Sequence, residues 1–265
     1  MSQCRRSIVP ALGLSVLPAL CAAAEGFTDR WDTPGAGGLA GATAPIARGV
    51  EAIEANPAGI ALGGALEGSI VWFQSGYDGQ EAARVDIAVR DGSIGIGAFA
   101  REATGFAPPR FEDWGVAAAA LIMRRPHGGH IALGGAVRTR DEEWFADLAL
   151  QLEPVPMVGI GAVLTTSAED AWALPTLTAG LAHRWAAGLE LIAEREFRRA
   201  APDEARFGAQ VELGEPICLR VGSGSHRVTW GVGVRWGGWS VDLAAVADRR
   251  SGMAWMAGLQ VAAPR

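Results

Sequence analysis

The chain has 265 residues, a formal net charge of −6, three cysteines and no lysine at all. An acidic surface repels polyphosphate, which excludes a nucleic-acid partner, and three cysteines are too few for a disulfide scaffold. No Pro/Ser-rich spacer or long run of one charge divides the sequence, so it reads as one large domain behind a leader.

The leader is residues 1–24. Arg5 and Arg6 precede an apolar run from Ile8 to Leu20, and Ala22-Ala23-Ala24 supplies a small-residue cleavage site. That order of charge, oil and small residues is a secretory signal peptide, and the apolar run is too short to span a bilayer as a helix. Cleavage after Ala24 would remove two arginines and no carboxylate, taking the net charge from −6 to −8, and would leave Cys218 as the sole cysteine.

Residues 25–65 are glycine-rich, with Gly35, Gly37, Gly38 and Gly41 ahead of a stretch from Ala47 to Ala55 that is compatible with a short helix. Asn56-Pro57 ends that helix, because the residue before a proline is pushed out of the α region. This is the one stretch that reads as helix, and everything after it reads as strand. A small helical cap ahead of some two hundred residues of strand suggests a plug inserted into a barrel.

From Leu66 to Ala262 the chain breaks into fourteen segments of alternating polarity, punctuated by Gly, Pro and Asp. In Arg227–Trp236 one face carries Val228, Trp230, Val232, Val234 and Trp236; the other carries Arg227, Thr229, Gly231, Gly233 and Arg235. The segments 83–90 and 205–213 divide likewise, Val85, Ile87 and Val89 against Arg84 and Asp86, and Phe207, Val211 and Leu213 against Arg206 and Gln210. A soluble β-sandwich also alternates in this way. Strands near ten residues, an even count and tryptophans near segment ends (Trp72, Trp114, Trp144, Trp185, Trp230, Trp236, Trp239 and Trp255) favour a transmembrane antiparallel β-barrel over residues 66–265. Its lumen-lining charges are then Arg84, Asp86, Asp147, Glu190, Glu194, Arg206, Arg227, Arg235 and Asp242, around a wet interior. The small residues that share their face, Gly95, Gly97, Gly134, Gly208, Gly231 and Gly233, leave room for something inside.

The glycine run, the short acidic helix and Asn56-Pro57-Ala58-Gly59 together resemble the opening of the FadL-type outer-membrane fatty-acid transporters and the related PorV-type barrels. The resemblance implies a 14-stranded barrel with a luminal N-terminal segment, and makes Glu51, Glu54, Asn56, Pro57 and Gly59 the plug and gate residues. It implies passive transport of small hydrophobic molecules across the outer membrane, or else a docking barrel for an exported protein partner. Lipid is the expected surroundings in either case. The segments are too short to carry the long extracellular loops of the fatty-acid transporters, which leaves the substrate open.

Other motifs point to no chemistry. His127 and His130 have the spacing of a weak metal pair but no carboxylate or cysteine cluster beside them, and their glycines read as a solvated hairpin tip. Gly95-x-Gly97 and Gly231-x-Gly233 open no helix, so they are not dinucleotide loops. No Gly-x-Ser-x-Gly elbow is present, and Asp141-Glu142-Glu143 and Glu194-Arg195-Glu196 read as solvated turn and strand-end charges. The expectation is therefore a non-enzyme with no catalytic residue, no metal and no cofactor.

Overall fold

The computed structural model describes residues 33–75, 81–104, 110–126, 128–140, 143–167, 175–186, 188–198, 201–249 and 252–263. The predicted signal peptide, His127 and the Asp141-Glu142 pair lie outside the described residues.

Strict alternation lets each segment turn an apolar edge outward and a polar edge inward, and the strands that result are β1 (Leu66–Ser75), β2 (Glu81–Asp91), β3 (Ile94–Thr104), β4 (Arg110–Arg124), β5 (His130–Arg140), β6 (Glu143–Val155), β7 (Val158–Ser167), β8 (Thr176–Arg184), β9 (Leu189–Phe197), β10 (Glu204–Leu213), β11 (Ile217–Ser223), β12 (Arg227–Trp236), β13 (Trp239–Asp248) and β14 (Gly252–Ala262). Each pairs antiparallel with its chain neighbour, and β1 pairs with β14 from Glu67 opposite Ala262 to Ser75 opposite Ala254. The sheet closes on itself, so no edge strand is left unpaired. A two-sheet sandwich is thereby excluded.

The outer surface is oily and the interior polar, the reverse of a water-soluble fold. On β2, Val85, Ile87 and Val89 are exposed while Arg84 and Asp86 are buried; on β10, Phe207 is exposed and Arg206 buried. Ten residues at about 3.3 Å each, tilted as barrel strands are, span about 25 Å, the height of a bilayer's apolar band. We call the end where β1 starts and β14 finishes the terminal end. Trp185, Trp236 and Trp239 face outward near it, and Trp72, Trp114, Trp144, Trp230 and Trp255 face outward nearer the far end. Indole suits those two interfaces, having an apolar body and one N–H for the headgroup layer. At the terminal end β12 and β13 are joined through Gly237 and Gly238 alone, at φ 53° and 94°, the left-handed pair that a two-residue hairpin turn requires.

The segment before β1 fills the barrel. It consists of α1 (Pro34–Gly38), a 3-10 turn over Gly49–Glu51, α2 (Ala52–Ala55) and a second 3-10 stretch over Pro57–Leu62. Two sequence expectations are corrected here. The helix expected over Ala47–Ala55 starts at Gly49 and is half 3-10, and a further helix, α1, precedes it, all five of its residues buried. Thr33 caps α1, accepting the Ala36 N–H at 3.2 Å, and Pro34 occupies its first turn without wasting a donor. Asn56 does stop α2, with φ −163° and ψ 93°, but the chain then continues as 3-10 helix and not as strand.

Candidate functional site

The plug fits because the barrel wall has no side chains where the plug backbone runs. A Cβ on Gly134 would lie 2.4 Å from the Ala58 nitrogen, on Gly161 2.2 Å from the Ala44 oxygen, on Gly222 2.4 Å from the Leu39 carbonyl carbon, and on Gly97 2.8 Å from the Ile53 side chain. Those distances leave no space for alanine, so the inward glycines of the strands are the imprint of the plug. Apolar plug residues fill what remains: Ile53 and Ile60 pack with Phe99, Ala117 and Ala119 on one wall, and Leu39 and Ala42 with Ala182 and Ile192 on the other.

The Asn-Pro-Ala-Gly turn is explained residue by residue. Asn56 is fully buried; its Nδ2 donates to the Ala44 oxygen at 2.7 Å and the Leu150 oxygen at 3.1 Å, and its Oδ1 accepts the Ala58 N–H at 3.2 Å. Pro57 opens the 3-10 stretch where its missing N–H costs nothing. Ala58 lies against Gly134, and a Cβ on Gly59 would meet the Ala47 oxygen at 2.1 Å. Asn56 thus ties the first half of the plug, the second half and the wall to one side chain.

Of the two plug carboxylates, Glu54 bonds Arg84 and lies 3.9 Å from Arg138. Arg84 also donates to Asp86 at 2.6 Å, and Ser69 donates to the other oxygen of Asp86 at 2.6 Å. Arg138 donates to Asp147 at 2.8 Å, with Thr165 adding 2.6 Å. A second knot surrounds Arg206, which is 1% exposed and donates to Glu194 at 2.9 Å, Glu196 at 2.6 Å and Glu204 at 3.0 Å. Arg227 reaches Glu204 at 2.6 Å, and Glu194 accepts the plug's Ala44 N–H at 2.9 Å. In a third, Arg220 pairs with Asp242, while Arg184 and Gln210 both reach Glu190. Arg235 lies exposed at the terminal rim, 3.6 Å from Glu212. At the start of β1, Glu67 accepts the Val50 N–H at 3.1 Å and the Gly64 N–H, pinning the plug where it turns into the barrel.

Of the residues read as lumen-lining, eight lie on the inner face and Arg235 is exposed at the terminal rim, and the plug fills the space where the sequence reading places water. Arg84, Asp86, Asp147, Glu190, Glu194, Arg206 and Asp242 are buried in ion pairs and hydrogen bonds with each other and with the plug, because the plug occupies the space that water would take. Glu194 and Glu196 are likewise buried partners of Arg206 and not solvated strand-end charges. His130 is buried as the first residue of β5, its Nδ1 3.3 Å from Glu153, and not in a solvated tip. Among the described residues no group of His, Cys, Asp and Glu is placed to hold a metal ion. Sequence reading missed Arg138, Arg220, Glu67 and Glu204. The signal was there for Arg220, which falls in phase with Cys218 and Gly222 and opposite Leu219 and Val221.

Two cavities open on the terminal side of the plug. One, of about 230 Å³, lies between the first half of the plug and β8–β12, with Glu51, Glu190, Gln210, Arg220 and Arg235 in its lining. The other, of about 500 Å³, reaches the β12–β13 turn and shares Arg48, Glu51 and Arg235 with the first. A third of about 30 Å³ lies toward the far end, bounded by Glu54, Arg138, Thr165, Thr178 and Glu194. That is room for about one water molecule.

No protein-family model matches the chain, and none of the curated proteins does. Among solved structures it is similar to variants of a porin from Rhodopseudomonas blastica. One has a TM-score of 0.49 at 10% identity, covering 74% of this chain and 98% of that one. A triple mutant has a TM-score of 0.47 at 11% identity over the same shares. At such identity these likenesses assign no family.

Proposed function

We propose that this chain is an outer-membrane β-barrel for the passive passage of small solutes, exported behind its leader and held shut by its own N-terminal plug. The observation that carries this reading is the plug itself: it obstructs an interior that charged and small side chains could not fill alone, yet leaves cavities on both of its sides. The FadL-type resemblance adds a small hydrophobic solute. The cavities instead have Arg48, Glu51, Glu190, Arg220 and Arg235 in their walls, a lining that suits small polar solutes better.

Uptake into liposomes tests the reading. Wild-type protein is expected to pass small sugars and ions slowly, and a variant lacking Gly35 to Ala55 to pass them much faster while still running faster on a gel unheated than boiled. The closed backbone ladder survives that deletion, and water would enter to solvate the freed charges. A folded deletion variant as tight as wild type overturns the transport reading. The PorV-type alternative, a sealed barrel that docks an exported protein, would then take its place; it is favoured by the number of plug bonds to the wall, Asn56, Glu54, Glu67 and Glu194 among them. A fluorescent fatty acid binding to wild type at low micromolar concentration would restore the hydrophobic solute.

A further inference from the structure

Successive inward residues of β9 are Glu190, Ile192, Glu194 and Glu196, all buried. Glu190 borders the 230 Å³ cavity on the terminal side, and Glu194 borders the 30 Å³ cavity toward the far end. Between the two carboxylates stands one apolar layer, in which Ile192 and Ala182 meet Leu39, Ala42 and Ile46 of the plug. Glu190 and Glu194 stand four residues apart, about 13 Å along the strand, and Ile192 is the one inward side chain of β9 between them. Thr43 of the plug borders both cavities. The opposite wall offers no such gap, since a Cβ on Gly95 or Gly97 would already lie 2.8 Å from Ile60 or Ile53.

We propose that solute crosses along the inner face of β9, and that the collar of Leu39, Ala42, Ile46, Ala182 and Ile192 is the gate. The proposal rests on the channel reading above and locates its path. A short apolar constriction between two polar compartments stops water and solute by staying dry, with no need for a charged barrier. Opening then requires only that the turn around Thr43 shift off Ile192, with the second half of the plug left in place on its glycines.

The test is to wet the collar without removing the plug. Ile192→Ser and Ala182→Ser are compared with Ala119→Ser, which places the same hydroxyl on the opposite wall, all three checked for the gel shift of a closed barrel. Liposome uptake of a small sugar is expected to rise several-fold in the first two and to stay at the wild-type rate in the third. If Ile192→Ser does not fold, Ala182→Ser against Ala119→Ser decides the matter, the two changes being chemically the same. Equal leakage from Ala119→Ser overturns the path along β9. So do two tight collar variants beside a leaky Gly35 to Ala55 deletion, and in that case the channel reading survives. Collar variants and deletion all tight overturn path and channel together.

Discussion

The two halves of the plug meet walls of different kinds. From Ala52 to Leu62 the plug lies on β2–β6, with Ile53 and Ile60 against alanines and glycines, the backbone of Ala58 pressed on Gly134 and Glu54 bonded to Arg84. From Thr33 to Glu51 it runs mainly along β7–β14, where ion pairs alternate with the two larger cavities and Glu51 lines both. One half is a close-packed anchor and the other borders the two larger cavities. A plug needs both properties if it is to stay in the barrel and still yield a path, and dividing them between two walls lets one move without loosening the other.

Filling the anchor should break this contrast most severely. In Gly134→Leu the new side chain meets plug backbone, which cannot turn aside, so the cost should exceed the usual range of about 1–3 kcal/mol for overpacking. Urea unfolding in detergent would read this as a lower midpoint, and protease treatment as a freed N-terminal segment. On the vestibule wall Gly233→Ser should cost less than about 1 kcal/mol, because what stands 2.3 Å from its Cβ is the carboxylate end of Asp242, a side chain that can give. Equal losses at the two sites would mean that both walls grip alike.

Next in size is Glu54→Gln. With the plug in place Arg84 and Arg138 stay buried, and the loss of their shared plug carboxylate should cost about 2–3 kcal/mol, more than removal of an exposed pair such as Arg195–Asp203. A loss no larger than that of Asp203→Asn would show that Asp86 and Asp147 satisfy the two arginines without help. Asn56→Ala comes next at about 1–3 kcal/mol, since the Ala44 and Leu150 carbonyls lose a buried donor. Because Asn56 joins the two halves, this change should also raise solute leakage, which Glu54→Gln on the anchor side should do less.

Much of the barrel was legible and little of the plug was. Leu66–Ser75, Glu204–Leu213, Ile217–Ser223 and Arg227–Trp236 run between the residues that alternation and punctuation mark, since an outward face in lipid and an inward face against charge leave a clear period of two. Helix α1 was illegible because Pro-Gly-Ala-Gly-Gly has no helix-forming residue but alanine; burial in a glycine-lined barrel stabilises it, and that context lies two hundred residues away. The inward glycines hinted at an occupant without showing where it lay. Partners such as Glu54 with Arg84, thirty positions apart, are set by which wall each plug residue faces, and no local pattern encodes that.

The smallest expected effect concerns the border between the two regions. Glu51 projects from the plug toward Arg220 and Arg235 at the junction of the two terminal cavities. Burial pushes its carboxyl above the ordinary value of 4.5, and Asp242 and Glu67 add to that push, while Arg220 and Arg235 only partly oppose it. The folded protein therefore binds this proton more readily than the unfolded chain does. Ionised Glu51 is a liability that is fully present above its folded pKa and disappears as pH falls through that value toward 4.5. Glu51→Gln removes the liability, so at pH 7 the variant should lose its closed-barrel gel mobility at a slightly higher temperature than wild type, and at pH 4 at the same temperature. A variant less stable at pH 7 would mean that Glu51 is a working ion-pair partner of Arg220, and the first half of the plug would then be anchored by charge much as the second is anchored by packing.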